Sequence, residues 1–290
     1  MKFGVVQIVD GVPGRGLDFV AETASAMEDL GFASYWAPDH VAFFDNVLSV
    51  YPHSDDGTFA FRKDQGLLEP IMVLQAAASA TKHIRVGTSV EVITLRNPLV
   101  RSKHVVTLDH FSNGRFDYGV GIGWIREEYD AAGVPWENRG QRADEYIQAM
   151  KELWTQSRAT FDGSYVKFKN VVAFPKPLQT PYPPILIGGT TKAAIARAAK
   201  LGDGWYGWKM KIDELDLAIK QLRIELEKAG RSLDDGFRLL LGMPHHGDPS
   251  EIQEYIHQVS RCGVTEFTFG LSLSRSKMKQ QLEAYARNFI

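Results

Sequence analysis

The sequence predicts a (β/α)8 barrel (TIM barrel) with insertions after strand 2 and before strand 5. Eight short apolar runs alternate with amphipathic helical patterns along the 290 residues. Several runs are apolar almost throughout, as in IRVGTSV, FRLLLGM and PILIGG, which is typical of parallel strands buried on both faces. No linker rich in Gly, Ser or Pro divides the chain. One domain over residues 1–290 is therefore favoured over a doubly wound sheet in two lobes.

The strands follow from β-branched and aromatic residues bounded by Gly, Pro, Asn or Asp. The first begins almost at the N-terminus, with FGVVQI. In chain order, the predicted strands span 3–8, 34–37, 84–90, 115–120, 184–187, 203–206, 237–243 and 265–269.

The helices follow from apolar periodicity and from residues that begin or end helices. Gly31 ends the first helix, and Pro70 and Pro98 stand in the first turns of the second and third. The predicted helices span 18–30, 70–81, 97–111, 140–154, 190–201, 213–229, 249–261 and a closing segment that ends at Phe289.

Two connections are longer than a barrel requires. The first, 39–69, is rich in aromatic residues, and the second, 156–183, contains FDGSYVKFKNV, which predicts a β-hairpin with Asp162–Gly163 at its turn. Long loops in compact domains are usually functional or disordered. We expect the first to form a lid or pocket wall, and the alternative is a packed Ω-loop. Its aromatic residues are Phe43, Phe44, Tyr51, Phe59 and Phe61.

Composition restricts the possible partners. The net charge is −2, with 33 Lys+Arg against 35 Asp+Glu, so a nucleic acid or an anionic membrane surface is not expected to be a partner. No apolar run is long enough to cross a bilayer, and the N-terminus lacks the apolar core of a signal peptide. Cys262 is the single cysteine and cannot pair within the chain. These features predict a cytoplasmic protein.

Candidate functional residues follow the predicted strands, because the active face of such a barrel is at the carboxyl ends of its strands. Asp39–His40 follows strand 2, where a histidine can exchange a proton near neutral pH. The alternative is a packed histidine. YGVGIGW, residues 118–124, ends strand 4 with glycines in a G-x-G-x-G spacing that differs from the dinucleotide fingerprint. It indicates close approach of a ligand to the backbone, or a bulge at the barrel rim.

The sequence IGGTT, residues 187–191, suggests an anion site. Two glycines precede an alanine-rich helix, whose first backbone amides can bind a phosphate. The alternative is a tight loop with a threonine N-cap. Nucleophile-elbow, P-loop and H-E-x-x-H motifs are absent from the sequence. His245–His246 are adjacent, a spacing that does not suit two metal ligands on one helix, so no metal is expected.

These pieces, in this order, resemble the luciferase-like monooxygenase family of flavin- and deazaflavin-dependent barrel enzymes. The resemblance covers nearly the whole chain. It rests on GFASYWAPDHV, RVGTSVEVITLRNPLVRSKHVVTLDHFSNGRF, YGVGIGWIREEYDAAGVPWENRGQRADE, PPILIGG and AAKLGDGW. The segment GVGIGWIREE is most similar to the branch that uses coenzyme F420 rather than FMN.

The resemblance implies a flavin-type ring across the barrel mouth, supported by a non-proline cis peptide that maps to Ser89–Val90. Asp39 then matches a position that contacts the cofactor, and His40 matches the histidine near the reactive carbon. The backbone beside the cofactor maps to Gly121, Ile122 and Gly123, and its phosphate site maps to Gly188, Gly189 and Thr190.

One position departs from the pattern. Sugar-phosphate dehydrogenases of the family have a glutamate after the third glycine, where this chain has Trp124, which speaks against a sugar phosphate substrate. Trp124 and Trp205, with Tyr206 and Trp208, are candidates for an aromatic pocket wall, and the alternative is that such aromatic residues only pack in the barrel core.

The resemblance implies an F420-dependent oxidoreductase that transfers hydride to or from a small organic substrate, and a homodimer. One alternative is an FMN-dependent monooxygenase that uses reduced flavin and O2. Another is a non-catalytic flavin-binding barrel.

Overall fold

The protein folds as a closed parallel (β/α)8 barrel, as the sequence predicts. A computed structural model describes residues 1–54, 56–59, 66–244 and 248–290. Eight strand positions form the barrel, and the third is split into two short strands. The barrel strands are β1 (Lys2–Gln7), β2 (Ser34–Ala37), β3 (Arg85–Thr88), β4 (Glu91–Val92), β5 (Phe116–Gly121), β8 (Ile185–Gly188), β9 (Gly204–Trp208), β10 (Arg238–Pro244) and β11 (Glu266–Leu271), and the hairpin strands β6 (Ala159–Asp162) and β7 (Lys167–Val171) lie outside the barrel.

Parallel pairing runs around the whole barrel. Its order is β3-β2-β1-β11-β10-β9-β8-β5-β4, and an additional pairing of β3 with β5 closes the ring. Val86 lies opposite Phe116 at this closure, and Glu91 lies opposite Val120 farther along β5. Both halves of the third strand therefore pair with the same neighbour, and the chain departs from strand geometry only between them.

Helices surround the barrel. Proline begins three of them, and in one of these three the Asn97 side chain also caps the helix by accepting from the amides of Leu99 and Val100. The α-helices are α1 (Leu17–Asp29), α2 (Pro70–Ser79), α3 (Pro98–Phe111), α4 (Arg126–Ala131), α5 (Arg139–Thr155), α6 (Lys192–Leu201), α7 (Ile212–Lys228), α8 (Pro249–Arg261) and α9 (Met278–Phe289). Among the described residues, no helix is long and apolar enough to cross a membrane.

The apolar core has two layers. The larger lies between the strands and the surrounding helices, and the smaller fills the barrel interior. The buried residues of the inner layer are Val6, Trp36, Leu186, Tyr206 and Leu240. Because bulky side chains fill the interior, the barrel has no open channel, and a ligand has room only at its ends.

An ion-pair network closes the amino-terminal end of the barrel. Asp117, fully buried, accepts from the guanidinium of Arg85 at 2.5 Å and lies 2.8 Å from that of Arg238. Arg238 also bonds Glu266 at 2.6 Å. The two arginines hold the pKa of Asp117 below its usual value against the opposing effect of burial. The opposite, carboxyl-terminal end is left for the functional site.

Three local predictions differ from the structure. The predicted strand at 84–90 ends at Thr88 and resumes at Glu91, because the chain bulges between them. The hairpin is present, but Gly163 begins a four-residue loop, and Asp162 pairs with Lys167 within the ladder. The helix α4 was not predicted. Phe61 and His245–His246 lie outside the described residues.

Candidate active site

A cavity of about 250 Å³ opens at the carboxyl ends of the strands. It contains most of the residues that the sequence nominated, although they come from four separate connections. The predicted residues that line it are Asp39, His40, Ser89, Val90, Gly123, Trp124, Gly188 and Gly189.

Four predicted site residues lie elsewhere. Gly121 and Ile122 border a separate small pocket beside Arg197, and Thr190 stands in the loop after Gly189. The prediction that Trp205 forms a pocket wall is wrong, because its side chain is only 1% exposed and packs in the core. Its indole N–H donates to the carbonyl of Gly189 at 2.7 Å. Trp205 therefore supports the Gly189 backbone from behind. Trp208, from the same strand, lines the cavity instead.

The peptide bond between Ser89 and Val90 is cis, as predicted from the sequence motif. It lies in the interruption of the third strand, and both residues line the cavity. The amide of Ser89 donates to the carbonyl of Ala37 at 2.8 Å, and its hydroxyl bonds that of Tyr206 at 3.1 Å. Val90 packs on the inner core layer. The bulge is thus held from β2, its neighbour, and from β9, which does not pair with it, and it presents an apolar surface to the cavity.

The glycines of YGVGIGW make room for this bulge. A β-carbon on Gly121 would lie 2.8 Å from Cγ2 of Val90, and one on Gly119 would overlap the carbonyl of Thr88. Gly188, from the next strand, is equally restricted, because its β-carbon would also lie 2.8 Å from Val90. Gly123 has a φ of 66°, a conformation that favours glycine. The glycine spacing therefore has a reason within the protein and requires no ligand.

His40 is held in a defined orientation by a residue that the sequence did not nominate. Its Nδ1 lies 3.1 Å from Oε2 of Glu128, a side chain that is 1% exposed. The other oxygen of Glu128 accepts from the amides of Val41 and Ala42. As a carboxylate, Glu128 can only accept hydrogen bonds, and Nδ1 of His40 then carries the hydrogen that it donates to Oε2. In the neutral ring, Nε2 is then free to accept a proton.

The neighbouring Glu127 holds the same loop farther along. Its carboxylate accepts from the amide of Leu48 at 2.6 Å and from the hydroxyl of Ser49 at 2.8 Å. Ser49 in turn accepts from the amide of Arg126 at 2.9 Å. These hydrogen bonds hold the pKa of Glu127 below its usual value, although burial acts in the opposite direction. Two consecutive carboxylates of α4 thus fix the beginning of the long connection after β2.

Asp39 is committed to contacts within the protein. Arg96 donates to both of its oxygens, at 2.6 and 2.8 Å, and the amide of Val92 donates to one of them at 2.9 Å. The residue is 5% exposed. Asp39 therefore joins the end of β2 to the segment that follows the bulge, and it presents no unpaired charge to the cavity.

The loop before α6 offers unpaired backbone donors. Within the described chain, the amides of Thr190, Thr191 and Lys192 donate to no protein acceptor. The Thr191 side chain caps α6 by accepting from the amide of Ala194 at 3.2 Å. Both interpretations of IGGTT are thus compatible with the structure: a threonine cap is present, and free amides remain beside it.

These features fit a flavin-type cofactor. The bulge offers an apolar surface for a flat ring, and the free amides before α6 offer donors for a phosphate. Ser89, Val90 and Gly189 would contact such a group. In the described part of the chain, no cluster of His, Cys, Asp or Glu could hold a metal ion.

Sequence and structure comparisons place the chain among known proteins. Residues 1–287 match the family model for luciferase-like monooxygenases. The chain is 32% identical over 272 residues to an uncharacterised protein of Mycobacterium tuberculosis, covering 93% of this chain and 92% of that one. It is 30% identical over 222 residues to an FMNH2-dependent dimethylsulfone monooxygenase of Pseudomonas fluorescens, covering 73% and 55% respectively.

A solved structure supports the fold. An F420-dependent secondary alcohol dehydrogenase in complex with an F420–acetone adduct superimposes with a TM-score of 0.79 at 16% identity, covering 99% of this chain and 98% of that one. At that identity, the similarity shows the barrel alone. The family assignment comes from the sequence match, which extends over nearly the whole chain: this protein belongs to the luciferase-like monooxygenase family.

Proposed function

We propose that the protein is a coenzyme F420-dependent oxidoreductase that transfers hydride between the deazaflavin and a small organic substrate. This proposal is supported by one observation: Glu128 orients His40 in a cavity that is also lined by the cis Ser89–Val90 peptide. When bound, the deazaflavin supplies the hydride donor or acceptor. The protein binds and orients the reactants, and it accepts or donates the proton.

His40 moves the proton. With Nδ1–H donated to Glu128, its Nε2 accepts the hydroxyl proton of an alcohol as hydride leaves the adjacent carbon. Glu128 stabilises the imidazolium that results, and its own orientation is fixed by the amides of Val41 and Ala42. In the reverse direction, the protonated ring donates to a carbonyl oxygen as that carbon is reduced.

The remaining residues bind and exclude water. Val90 and Trp208 give the cavity an apolar lining, which favours a flat ring and displaces solvent from it. The amides of Thr190, Thr191 and Lys192 are positioned for a phosphate at the start of α6. The residues that would contact the cofactor's ring and phosphate thus follow other strands than the one that His40 follows.

A specific observation also favours FMN. The relative that is 30% identical to this chain is named as an FMNH2-dependent monooxygenase. In that case His40 would act beside reduced flavin and O2. A barrel that binds either cofactor without turnover is the remaining alternative.

Titration of the purified protein with F420 and with FMN tests the proposal, with binding followed by cofactor fluorescence. We expect F420 to bind at least tenfold more tightly, and bound F420 to be reduced in a single turnover by a secondary alcohol. Tighter FMN binding would support the monooxygenase. Binding of F420 without reduction by any alcohol in a broad panel would support the non-catalytic barrel.

Two matched charge reversals on α6 test the phosphate site. Lys192→Glu places a negative charge beside the free amides, and Lys200→Glu makes the same change near the other end of the helix. We expect about a tenfold loss of cofactor affinity for Lys192→Glu from charge repulsion and almost none for Lys200→Glu. Equal effects would place the phosphate elsewhere.

A further inference from the structure

An aromatic surface lies beside His40. Trp124 follows β5, whereas Tyr51 and Phe59 belong to the connection after β2, and all three line the cavity. The ring of Trp124 lies 5.1 Å from that of Tyr51 and 5.4 Å from that of Phe59, and Tyr51 and Phe59 are 4.8 Å apart. His40 lies 5.9 Å from both Trp124 and Phe59. We name Tyr51, Phe59 and Trp124 the aromatic wall.

The wall is continuous. Its rings contact one another edge to face or tilted, with interplanar angles of 59–61°. A cage for a quaternary ammonium ion instead needs rings that surround the cation, each with its face within about 6 Å of it. Rings already in mutual contact leave no such space between them. The aromatic wall suits the side of an apolar body.

The cavity presents no unpaired charge among the residues described. Its acidic and basic lining residues are Asp39, His40 and His53. Arg96 and the amide of Val92 occupy the oxygens of Asp39. Burial lowers the pKa of His53, and Lys209 lowers it further, so this ring is neutral at pH 7. An ionised substrate would lose its hydration here without gaining a counter-ion.

The polar side chains of the lining are few, and besides Asp39 and His40 they include Tyr51, His53, Ser89 and Tyr206. The hydroxyl of Ser89 is bonded to Tyr206, and that of Tyr206 is bonded to Thr268 at 2.6 Å. Nε2 of His40 has no hydrogen-bond partner within the described chain, and it lies on the side of the ring away from Glu128. A substrate oxygen can therefore be recognised at His40 while the rest of the molecule contacts carbon.

We propose that the substrate is an uncharged alcohol or carbonyl compound whose oxygen contacts Nε2 of His40 and whose aromatic or compact cyclic body packs on Tyr51, Phe59 and Trp124. This substrate class rests on the proposed function, because the alcohol or carbonyl compound is taken to be the molecule that exchanges hydride with the deazaflavin. It goes beyond that function by excluding carboxylates, phosphate esters and ammonium compounds.

Three ligands of similar size test the substrate class: acetophenone, benzoate and phenyltrimethylammonium. Their affinities are measured by calorimetry on the protein saturated with F420 and on the protein without cofactor. We expect acetophenone to bind at least tenfold more tightly than either ion. Comparable or tighter binding of benzoate or phenyltrimethylammonium, or no binding of acetophenone, would overturn the proposal.

Matched variants locate the contact. Trp124→Leu should weaken acetophenone binding about tenfold, because it removes the central ring of the aromatic wall. Trp136→Leu is the control, since Trp136 packs on Tyr129 and Arg139 outside the cavity. Tyr51→Leu is the second variant if Trp124→Leu fails to fold. Equal affinity in the cavity variant and in Trp136→Leu would overturn the proposal.

The two proposals can fail separately. If F420 does not bind, the measurements without cofactor still decide whether the aromatic wall selects uncharged aromatic ligands. If F420 binds and is reduced by an alcohol while benzoate binds as well as acetophenone, the substrate class fails and the proposed function stands.

Discussion

A substitution at Glu128 tests the orientation of His40 while the histidine itself stays in place. Glu128→Gln keeps an oxygen for the amides of Val41 and Ala42 but turns an N–H toward His40. Nδ1 would then accept that hydrogen bond, so the proton would move to Nε2, which could no longer accept one from an alcohol. We expect single-turnover alcohol oxidation to slow by about 10²–10⁴-fold while the dissociation constant for the cofactor changes little.

Glu127→Gln is the control, because this neighbouring carboxylate holds Leu48 and Ser49 and does not contact His40. Its single-turnover rate should remain close to that of the wild type. His40→Asn should reproduce the loss seen in Glu128→Gln. If Glu128→Gln reacts at the wild-type rate, the proton does not pass through His40 in the way that the geometry indicates.

The close contact of Gly121 with Val90 permits a compensation test. Gly121→Ala introduces a β-carbon 2.8 Å from Cγ2 of Val90, which should displace the bulge, lower stability by about 1–3 kcal/mol and weaken cofactor binding. Val90→Ala in the same chain removes that methyl group. We expect the double variant to regain stability relative to the sum of the single changes, as measured by urea unfolding.

The affinity of the same double variant for the cofactor distinguishes the two roles of the glycine. Recovery of affinity beyond the sum of the single changes would mean that Gly121 serves the bulge. Persistent loss with restored stability would mean that the ligand itself approaches the Gly121 backbone, as the sequence pattern had suggested.

At the scale of elements, the sequence predicted what depends on local pattern. The helix at Pro249–Arg261 and the strand at Ser34–Ala37 have the predicted boundaries, because a proline or a glycine ends the apolar pattern sharply there. The cis bond at Ser89–Val90 came from a family motif rather than from periodicity. The helix α4 was missed, because six residues are too few to show a helical apolar pattern.

The site was predicted only in part, because only some of its residues can be recognised from local sequence pattern. His40 was found because it follows a strand, whereas Glu128 lies 88 residues away along the chain and only the fold brings the two together. Trp205 and Trp208 are in one strand, and sequence alone could not tell which ring faces the core and which the cavity. The glycines were correctly marked as special positions, but the atom that they avoid belongs to another strand.

The ion-pair network at the closed end of the barrel is expected to matter for stability. Asp117→Asn leaves Arg85 and Arg238 without their shared buried carboxylate, which should lower the free energy of unfolding by about 3–5 kcal/mol. Asp130→Asn is the matched control, because Asp130 pairs with Arg126 in solvent, and its effect should be near zero. Urea unfolding at pH 7 measures both. Similar values for the two variants would contradict a structural role for the network.

At the scale of the whole molecule, the homodimer that the family resemblance implies needs an apolar surface. Met72 on α2 is 70% exposed and Val100 on α3 is 56% exposed, and both line a groove of about 380 Å³ between these helices. We propose that a second copy of the chain covers this groove, because large exposed apolar side chains of adjacent helices are typical of interfaces.

Charge substitution in the groove tests the dimer. Light scattering after size exclusion should give about twice the chain mass of 32.4 kDa for the wild type and the monomer mass for Met72→Glu. Leu217→Glu, at a side chain that is 66% exposed on α7, is the control and should remain dimeric. A monomeric wild type, or a dimer unaffected by Met72→Glu, would rule out this interface.

The two adjacent carboxylates of α4 have a consequence for how such a barrel can be redesigned. Glu128 holds His40, and Glu127 holds the chain that leads to Tyr51, so the connection after β2 depends on the connection after β5. A chimera that exchanges either connection alone would separate the histidine from its acceptor and break up the aromatic surface. The two connections therefore depend on each other structurally, and a library that varies substrate preference should exchange them together.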